Sequence, residues 1–161
     1  MINKKQISRI LCACATFTLL QLNSQAATLP ADTTLKVPLG GNAWVSKNGQ
    51  AVIDNAGLGN WSSNTDVVSV YIRLETPGDL KIALRLQVPE GSSTIKVSAG
   101  QSVLTKTVSN HETTVVDFGT AHIKAPGYLE IKLQGLKKSG KVFAQVSDLL
   151  LSGPATANGA E

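Results

Sequence analysis

Two runs of alternating residues, separated by a turn, constrain the fold of this chain more than any other feature. In residues 67–88 (VVSVYIRLETPGDLKIALRLQV) every second residue is apolar before the turn, and again after it. Because successive side chains on a strand point to opposite faces, each run predicts a strand with one apolar and one mostly polar face. The intervening ETPGD contains a proline and a glycine, which favour chain reversal. We therefore expect the two strands to form a hairpin.

Shorter runs of the same kind follow the rest of the chain, and turns rich in Gly, Pro and Asn separate them. The predicted strands are residues 34–38, 43–46, 94–99, 103–108, 115–118, 128–134 and 142–151. A change of phase in the last run predicts a bulge near Ser147. One-faced strands must bury their apolar side against a second sheet, so the sequence predicts an all-β fold, a two-sheet antiparallel β-sandwich of the jelly-roll type. Residues 51–66, rich in Gly, Asn, Ser and Asp, predict a long ordered loop.

The first 26 residues have the pattern of a secretory signal peptide. A basic start (Lys4, Lys5 and Arg9) precedes a largely apolar stretch, and small residues flank a cleavage position after Ala26. The apolar stretch is shorter than the ~20 residues that a spanning helix needs, so an anchor is disfavoured. A lipoprotein motif at residues 11–14 (LCAC) remains a weaker alternative, since most of the apolar stretch follows Cys14. We expect a periplasmic or secreted mature protein without disulfides and without a membrane span.

Three segments follow from this division: a signal peptide (1–26), a β-sandwich domain (27–152) and a flexible tail of small residues (153–161). Removing the signal peptide leaves twelve basic residues against eleven acidic ones, with no basic run. Nucleic-acid binding needs a concentrated positive surface, so this class of function is excluded.

The order of several motifs resembles known families. A Gly-Gly-Asn turn (residues 40–42) is followed by a loop ending in GLGNW (57–61), a strand ending in Arg73, a Gly-Tyr strand (127–128) and an Asp-Leu-Leu-Leu strand (148–151). This order is similar to the galactose-binding-like jelly rolls of carbohydrate-binding modules, families six and thirty-five. It resembles still more closely an uncharacterised bacterial secreted domain that usually precedes a larger domain of unknown function. The resemblance spans residues 35–153 and implies a carbohydrate-binding fold.

The same resemblance implies a structural calcium ion, held by acids from the first and the closing strand. Asp148 matches the closing acid, but the first strand (TTLKVP) contains no acid. Calcium needs several oxygen ligands, so we expect at most a weak site and no other cofactor.

A sugar-binding surface requires an exposed aromatic ring beside planar hydrogen-bonding side chains. Trp61, flanked by Asn60 and Asn64 in a polar loop, is the first candidate. Tyr71 and Arg73 share the polar face of one strand and form a second. The alternatives are that Trp61 plugs one end of the sandwich, and that Tyr71 and Arg73 are ordinary surface residues.

Two further residues have competing interpretations. Asp54 offers a carboxylate to a sugar hydroxyl or a cation, but in its Asp-Asn-Ala-Gly context it also suits a bond to its own turn. Trp44, between Ala43 and Val45, is assigned to the core because tryptophan is mostly buried on average.

These observations favour a non-catalytic module that binds carbohydrate or cell-envelope glycan through the loop around Trp61. The alternative is a protein–protein interaction or assembly module that docks an envelope protein through a strand edge or face. An enzyme is disfavoured, because the acids are scattered and neither His111 nor His122 stands at metal-ligand spacing.

Overall fold

The structure is a computed structural model that describes residues 34–157. The predicted signal peptide with both cysteines, and the last four residues of the predicted tail, lie outside this part of the chain. Within it are eleven strands and one short 3-10 helix. The strands are β1 (Leu35–Pro38), β2 (Ala43–Val45), β3 (Val52–Asp54), β4 (Gly57–Gly59), β5 (Val67–Leu74), β6 (Gly78–Gln87), β7 (Ser93–Ala99), β8 (Ser102–Val108), β9 (Thr114–Ile123), β10 (Gly127–Lys138) and β11 (Gln145–Ser152).

The strands form two antiparallel sheets. A five-stranded sheet has the order β2-β5-β10-β7-β8, and a six-stranded sheet has the order β3-β4-β11-β6-β9 with β1 also paired to β11. The apolar faces of both sheets contribute to one core. This confirms the predicted two-sheet β-sandwich, and the alternation of each long strand explains it, since one face of each sheet is apolar and needs the other.

The predicted hairpin of residues 67–88 is wrong, although both of its strands exist. β5 pairs with β2 and β10 in one sheet, whereas β6 pairs with β9 and β11 in the other. The turn between them carries the chain across the sandwich. Two adjacent one-faced strands bury their apolar sides equally well face to face, so alternation and turn residues cannot distinguish a hairpin from this crossing.

The predicted loop of residues 51–66 is also partly wrong. Its first half is a small hairpin in which β3 pairs with β4. The chain reverses at Asp54, whose carboxylate accepts a 2.8 Å hydrogen bond from the amide of Ala56. Gly57 has φ of 115° and lies so close to Val146 that a Cβ would meet its carbonyl oxygen at 2.2 Å. β3 and β4 have three residues each, and strands this short show no recognisable alternation of apolar and polar residues.

Bulges explain the remaining differences. β9 extends well beyond the predicted residues 115–118, and its pairing with β6 changes register beside Phe118, which breaks the alternation. The bulge predicted near Ser147 is confirmed, because the pairing of β11 with β6 shifts between Val146 and Asp148. Within the described part of the predicted tail, Pro154–Thr156 form a 3-10 turn and Ala155 is buried.

Candidate functional site

Three exposed aromatic side chains stand on the outer face of the five-stranded sheet. Trp44 is 57% exposed, Tyr71 is 52% exposed and Tyr128 is 83% exposed. They belong to three adjacent strands, β2, β5 and β10. We call this surface the aromatic face, and its residues are Trp44, Ser69, Tyr71, Arg73, Tyr128, Glu130 and Lys132.

Strand register brings these side chains together. Trp44 pairs with Ser69, Tyr71 with Glu130, and Arg73 with Tyr128. Residues directly opposite each other on antiparallel strands share a face, and diagonal neighbours remain within reach of large side chains. The rings of Trp44 and Tyr71 accordingly meet edge to face, with centroids 5.8 Å apart and planes at 64°. An aromatic pair of this geometry fixes both rings while leaving large parts of them open to solvent.

Glu130 organises the polar part of the aromatic face. Its Oε1 accepts hydrogen bonds from the Tyr71 hydroxyl and the Ser69 hydroxyl, each at 2.9 Å. Its Oε2 lies 3.0 Å from Nζ of Lys132. The hydrogen bond from Lys132, joined by those from Ser69 and Tyr71, lowers the pKa of Glu130. The same carboxylate raises the pKa of the Tyr71 phenol, chiefly because it accepts a hydrogen bond from the protonated hydroxyl.

Arg73 lies at the other end of this face. Its Nη1 pairs with Oε1 of Glu75 at 2.6 Å, and both side chains are nearly half exposed. The pair holds the guanidinium on the side of the sheet where Tyr128 stands. Lys132 and Arg73 therefore supply positive donors at two points of the face, and each has an acidic partner.

Trp61 does not occupy the exposed position that the first candidate site requires. Its ring is fully buried and packs against Phe143, with centroids 5.4 Å apart. Phe143 in turn lies directly on Gly135, where a Cβ would come within 2.5 Å of its ring atoms. A sealed indole cannot stack on a sugar. Trp61 instead plugs the sandwich, which was the alternative interpretation.

The side chains that flank Trp61 make local contacts. Asn60, which has a positive φ of 48°, points its amide at the carbonyl of Gln50 at 3.4 Å. The carbonyl of Asn64 accepts a 3.0 Å hydrogen bond from Nε2 of Gln134 on β10. Asp54 bonds its own turn, as its sequence context predicted. The structure thus brings Tyr71 and Arg73 together and leaves Asn60, Asp54 and Trp61 away from them.

Asp148 does not suit the implied calcium site. Its carboxylate is buried and lies 3.3 Å from Nζ of Lys36 and 3.2 Å from Nε of Arg85, and it also accepts a 2.9 Å hydrogen bond from the Ser147 hydroxyl. Lys36 comes from the first strand, where the resemblance would place an acid. Two cations beside the one carboxylate repel a third positive charge, so these residues do not fit a calcium ion. No group of three or more potential metal ligands occurs among residues 34–157.

Comparison with known proteins identifies a family for this fold. The sequence model described as a domain of unknown function (DUF5077) matches residues 37–156. The chain belongs to the DUF5077 family. No curated protein matches the sequence of this DUF5077 chain.

Several solved structures similar to this DUF5077 domain are carbohydrate-binding modules or enzymes that carry one. The GH26-CBM35 β-(1,4)-mannanase of Podospora anserina superposes with a TM-score of 0.58 and 12% identity over 76% of this chain, which spans only 28% of that enzyme. The CBM6 module of a marine laminarinase from Zobellia galactanivorans gives 0.56, with 16% identity over 75% of this chain and 100% of the module. A family 35 module from Clostridium thermocellum gives 0.56, with 13% identity over 74% and 97%. At these identities the likeness shows a shared jelly-roll fold.

Sequence reasoning selected Tyr71 and Arg73 and missed the other five residues of the aromatic face in this DUF5077 domain. Tyr128 was within reach of it, because the alternation that places Glu130 and Lys132 outward also places Tyr128 outward. Trp44 was assigned to the core, and this is wrong: within the short strand β2 it points away from the buried Ala43. The partnership of Glu130 with Tyr71 depends on strand register, for which the sequence carries no signal.

Residues 34–157 contain no helix of the length and hydrophobicity that a bilayer crossing requires.

Proposed function

We propose that this DUF5077 domain is a non-catalytic module that binds a glycan on its aromatic face. The observation that carries the proposal is the row of three exposed aromatic rings on adjacent strands, Trp44, Tyr71 and Tyr128. Exposed apolar patches with a polar rim are typical of binding surfaces. The apolar C–H face of a pyranose stacks on such rings, and their large area is immobilised at small entropic cost.

The polar groups beside the rings support the same function. Hydroxyls of a sugar need donors and acceptors in fixed positions, because flexible ones lose more entropy on binding. Tyr71 and Lys132 are held by Glu130, and Arg73 is held by Glu75. The surface therefore presents oriented rings and oriented charges before any ligand arrives. The structural likeness to carbohydrate-binding modules adds support at the level of fold.

The proposed binding surface is a sheet face rather than the loop around Trp61. We further propose that the domain acts in the periplasm or outside the cell, which the sequence pattern of residues 1–26 supports. A glycan of the cell envelope or an extracellular polysaccharide is the partner class.

Binding can be tested with the purified protein on a glycan array, followed by calorimetric titration of the glycans retained. We expect Trp44→Ala and Tyr71→Ala each to weaken binding by about tenfold or more, since central aromatic anchors dominate such interfaces. Val115→Ala is the matched control, because Val115 is half exposed but lies on the six-stranded sheet.

Tryptophan fluorescence gives an independent readout. Trp44 is exposed and Trp61 is buried, so a bound sugar should change the emission of Trp44, and the change should disappear in Trp44→Ala. Retention of no glycan, or full affinity in both aromatic variants, would overturn the proposal. An aromatic face that instead captured an envelope protein would favour the interaction module.

A further inference from the structure

A polar cleft lies on the outer face of the six-stranded sheet, away from the aromatic face. Its volume is about 240 Å³. The lining comes from the β3–β4 hairpin, the end of β6, the start of β11 and the residue before β9. The residues that matter here are Asp54, Gly59, Gln87, Thr113 and Gln145.

Gly59 is the first sign that this cleft serves a ligand. A Cβ built on Gly59 would meet no atom within 4 Å, and its φ lies outside the left-handed region. Neighbouring Gly57, by contrast, is required by its φ of 115° and by its close approach to Val146. Neither backbone conformation nor packing explains a glycine at position 59. Glycine in a strand is one of the features of places where a ligand approaches the backbone closely, and the space above Gly59 is open.

The two glutamines provide the second sign. Gln87 and Gln145 are cross-strand partners, so their amides emerge side by side. Thr113 donates a 2.9 Å hydrogen bond to Oε1 of Gln87, which directs the Nε2 donors of that amide elsewhere. The turn before Thr113 is itself fixed, because Nδ2 of Asn110 donates to the carbonyls of Leu86 and Glu112. Among residues 34–157, neither Nε2 of Gln87 nor the side-chain amide of Gln145 has a hydrogen-bond partner.

Charge and size then define the ligand. Asp54 is the one charged residue of the lining, and its Oδ1 is used by its own turn, which leaves Oδ2 as an acceptor. Amides together with one carboxylate oxygen offer both donors and acceptors, as hydroxyl groups require. The absence of a cation among the lining residues disfavours an acidic ligand. A volume near 240 Å³ is enough for a single sugar ring.

We propose that this cleft binds one neutral pyranose residue, with Gln87 and Gln145 donating to its hydroxyls and Asp54 accepting from one of them. The ring lies over the bare backbone of Gly59. This site and the aromatic face are on different sheets, so the two can succeed or fail separately.

The test is a titration of the isotope-labelled protein with xylose, glucose, galactose and N-acetylglucosamine, followed by NMR. We expect at least one sugar to bind with a Kd in the millimolar range and to shift the side-chain amide signals of Gln87 and Gln145 and the backbone amide of Gly59. Gly59→Val puts an apolar side chain into the cleft, and its Cβ meets no atom within 4 Å. It should therefore weaken binding by roughly tenfold or more and leave the unfolding temperature almost unchanged.

Two further variants make the test specific. Gln145→Ala should weaken binding as well, because it removes an unpartnered amide from an exposed position. Tyr71→Ala should leave the shifts of Gln87 and Gln145 intact, since it changes only the aromatic face. The proposal is overturned if none of the four sugars shifts these signals, or if the shifts persist unchanged in folded Gly59→Val.

Discussion

The carboxylate of Glu130 joins two hydroxyls and an ammonium group on an open sheet surface. An exposed ion pair by itself contributes little to stability, because water screens it and the side chains lose entropy. Glu130 differs in having three partners on two strands, Ser69, Tyr71 and Lys132. Its main effect is therefore to orient Tyr71 and Lys132 for a ligand.

The protonation of Glu130 should follow from these partners. Its pKa is lowered from 4.5, so its contribution to stability is present above that value and is lost as the pH falls through the lowered pKa. Tyr71, whose pKa is raised above 10.0, stays protonated until more alkaline pH, and its contribution is lost only there. In a ¹³C NMR titration we expect the Glu130 carboxyl to titrate with a midpoint below 4.5.

Lys132→Met should move that midpoint upward, since Lys132 is the largest cause of the lowered pKa. A wild-type midpoint at or above 4.5, or no change in Lys132→Met, would contradict this role of the pair.

The two tryptophans show what sequence can predict about single residues. Average burial favours the core for both, and it is correct for Trp61 and wrong for Trp44. Alternation within AWV places Trp44 opposite to its neighbours, but three residues give that signal little weight. Tyr71 and Arg73 were placed correctly on one face, because β5 is eight residues long and its alternation is regular. Alternation therefore predicts which face of a sheet a residue occupies more accurately in long strands than in short ones.

At the scale of elements, the segment joining β2 to β3 depends on one buried acid that sequence reasoning did not select. Asp66 is 1% exposed. Its Oδ2 accepts from the amide of Ala51 at 2.9 Å, and both oxygens lie 3.2 Å from the amide of Gln50. The carboxylate thereby replaces the strand partner that these amides lack. Burying a charge of this kind is favourable only because the amides satisfy it.

Removing this acceptor should destabilise the domain. Asp66→Ala leaves two amides without their partner, at a cost of about 1–3 kcal/mol. Asp66→Asn keeps one acceptor oxygen and should lose less. Urea unfolding of the three proteins measures the difference. Equal stability of Asp66→Ala and wild type would show that water satisfies these amides fully.

The crossing from β5 to β6 marks the limit of local prediction for elements. ETPGD has the residues of a hairpin turn, and nothing nearby in sequence competes with that interpretation. The competing partners are β2 and β10 for β5, and β9 and β11 for β6. All four lie more than twenty residues away, and β10 and β11 begin more than fifty residues later. Strand existence is a local property, whereas pairing depends on these distant segments. For this reason the strands were predicted well and their neighbours were not.

At the scale of the whole molecule, the proposal places this β-sandwich outside the cytoplasm. We expect expression of the full chain in a Gram-negative host to yield a periplasmic product whose sequence starts at Ala27. N-terminal sequencing and mass measurement of the fractionated protein check this. An uncut cytoplasmic product would refute the predicted signal peptide, and a product lipidated at Cys14 would select the lipoprotein alternative.

The last strand in sequence, β11, sits inside the six-stranded sheet, where it pairs with β1, β4 and β6. Among residues 34–157, β1 pairs with no strand other than β11, so it stays unpaired until residues 148–151 have been synthesised. Completion of this sheet therefore waits for a segment distant in sequence, and such non-local pairing forms slowly. Late completion of one layer would suit the export that the sequence pattern of residues 1–26 predicts, because a translocation pore admits only an unfolded chain.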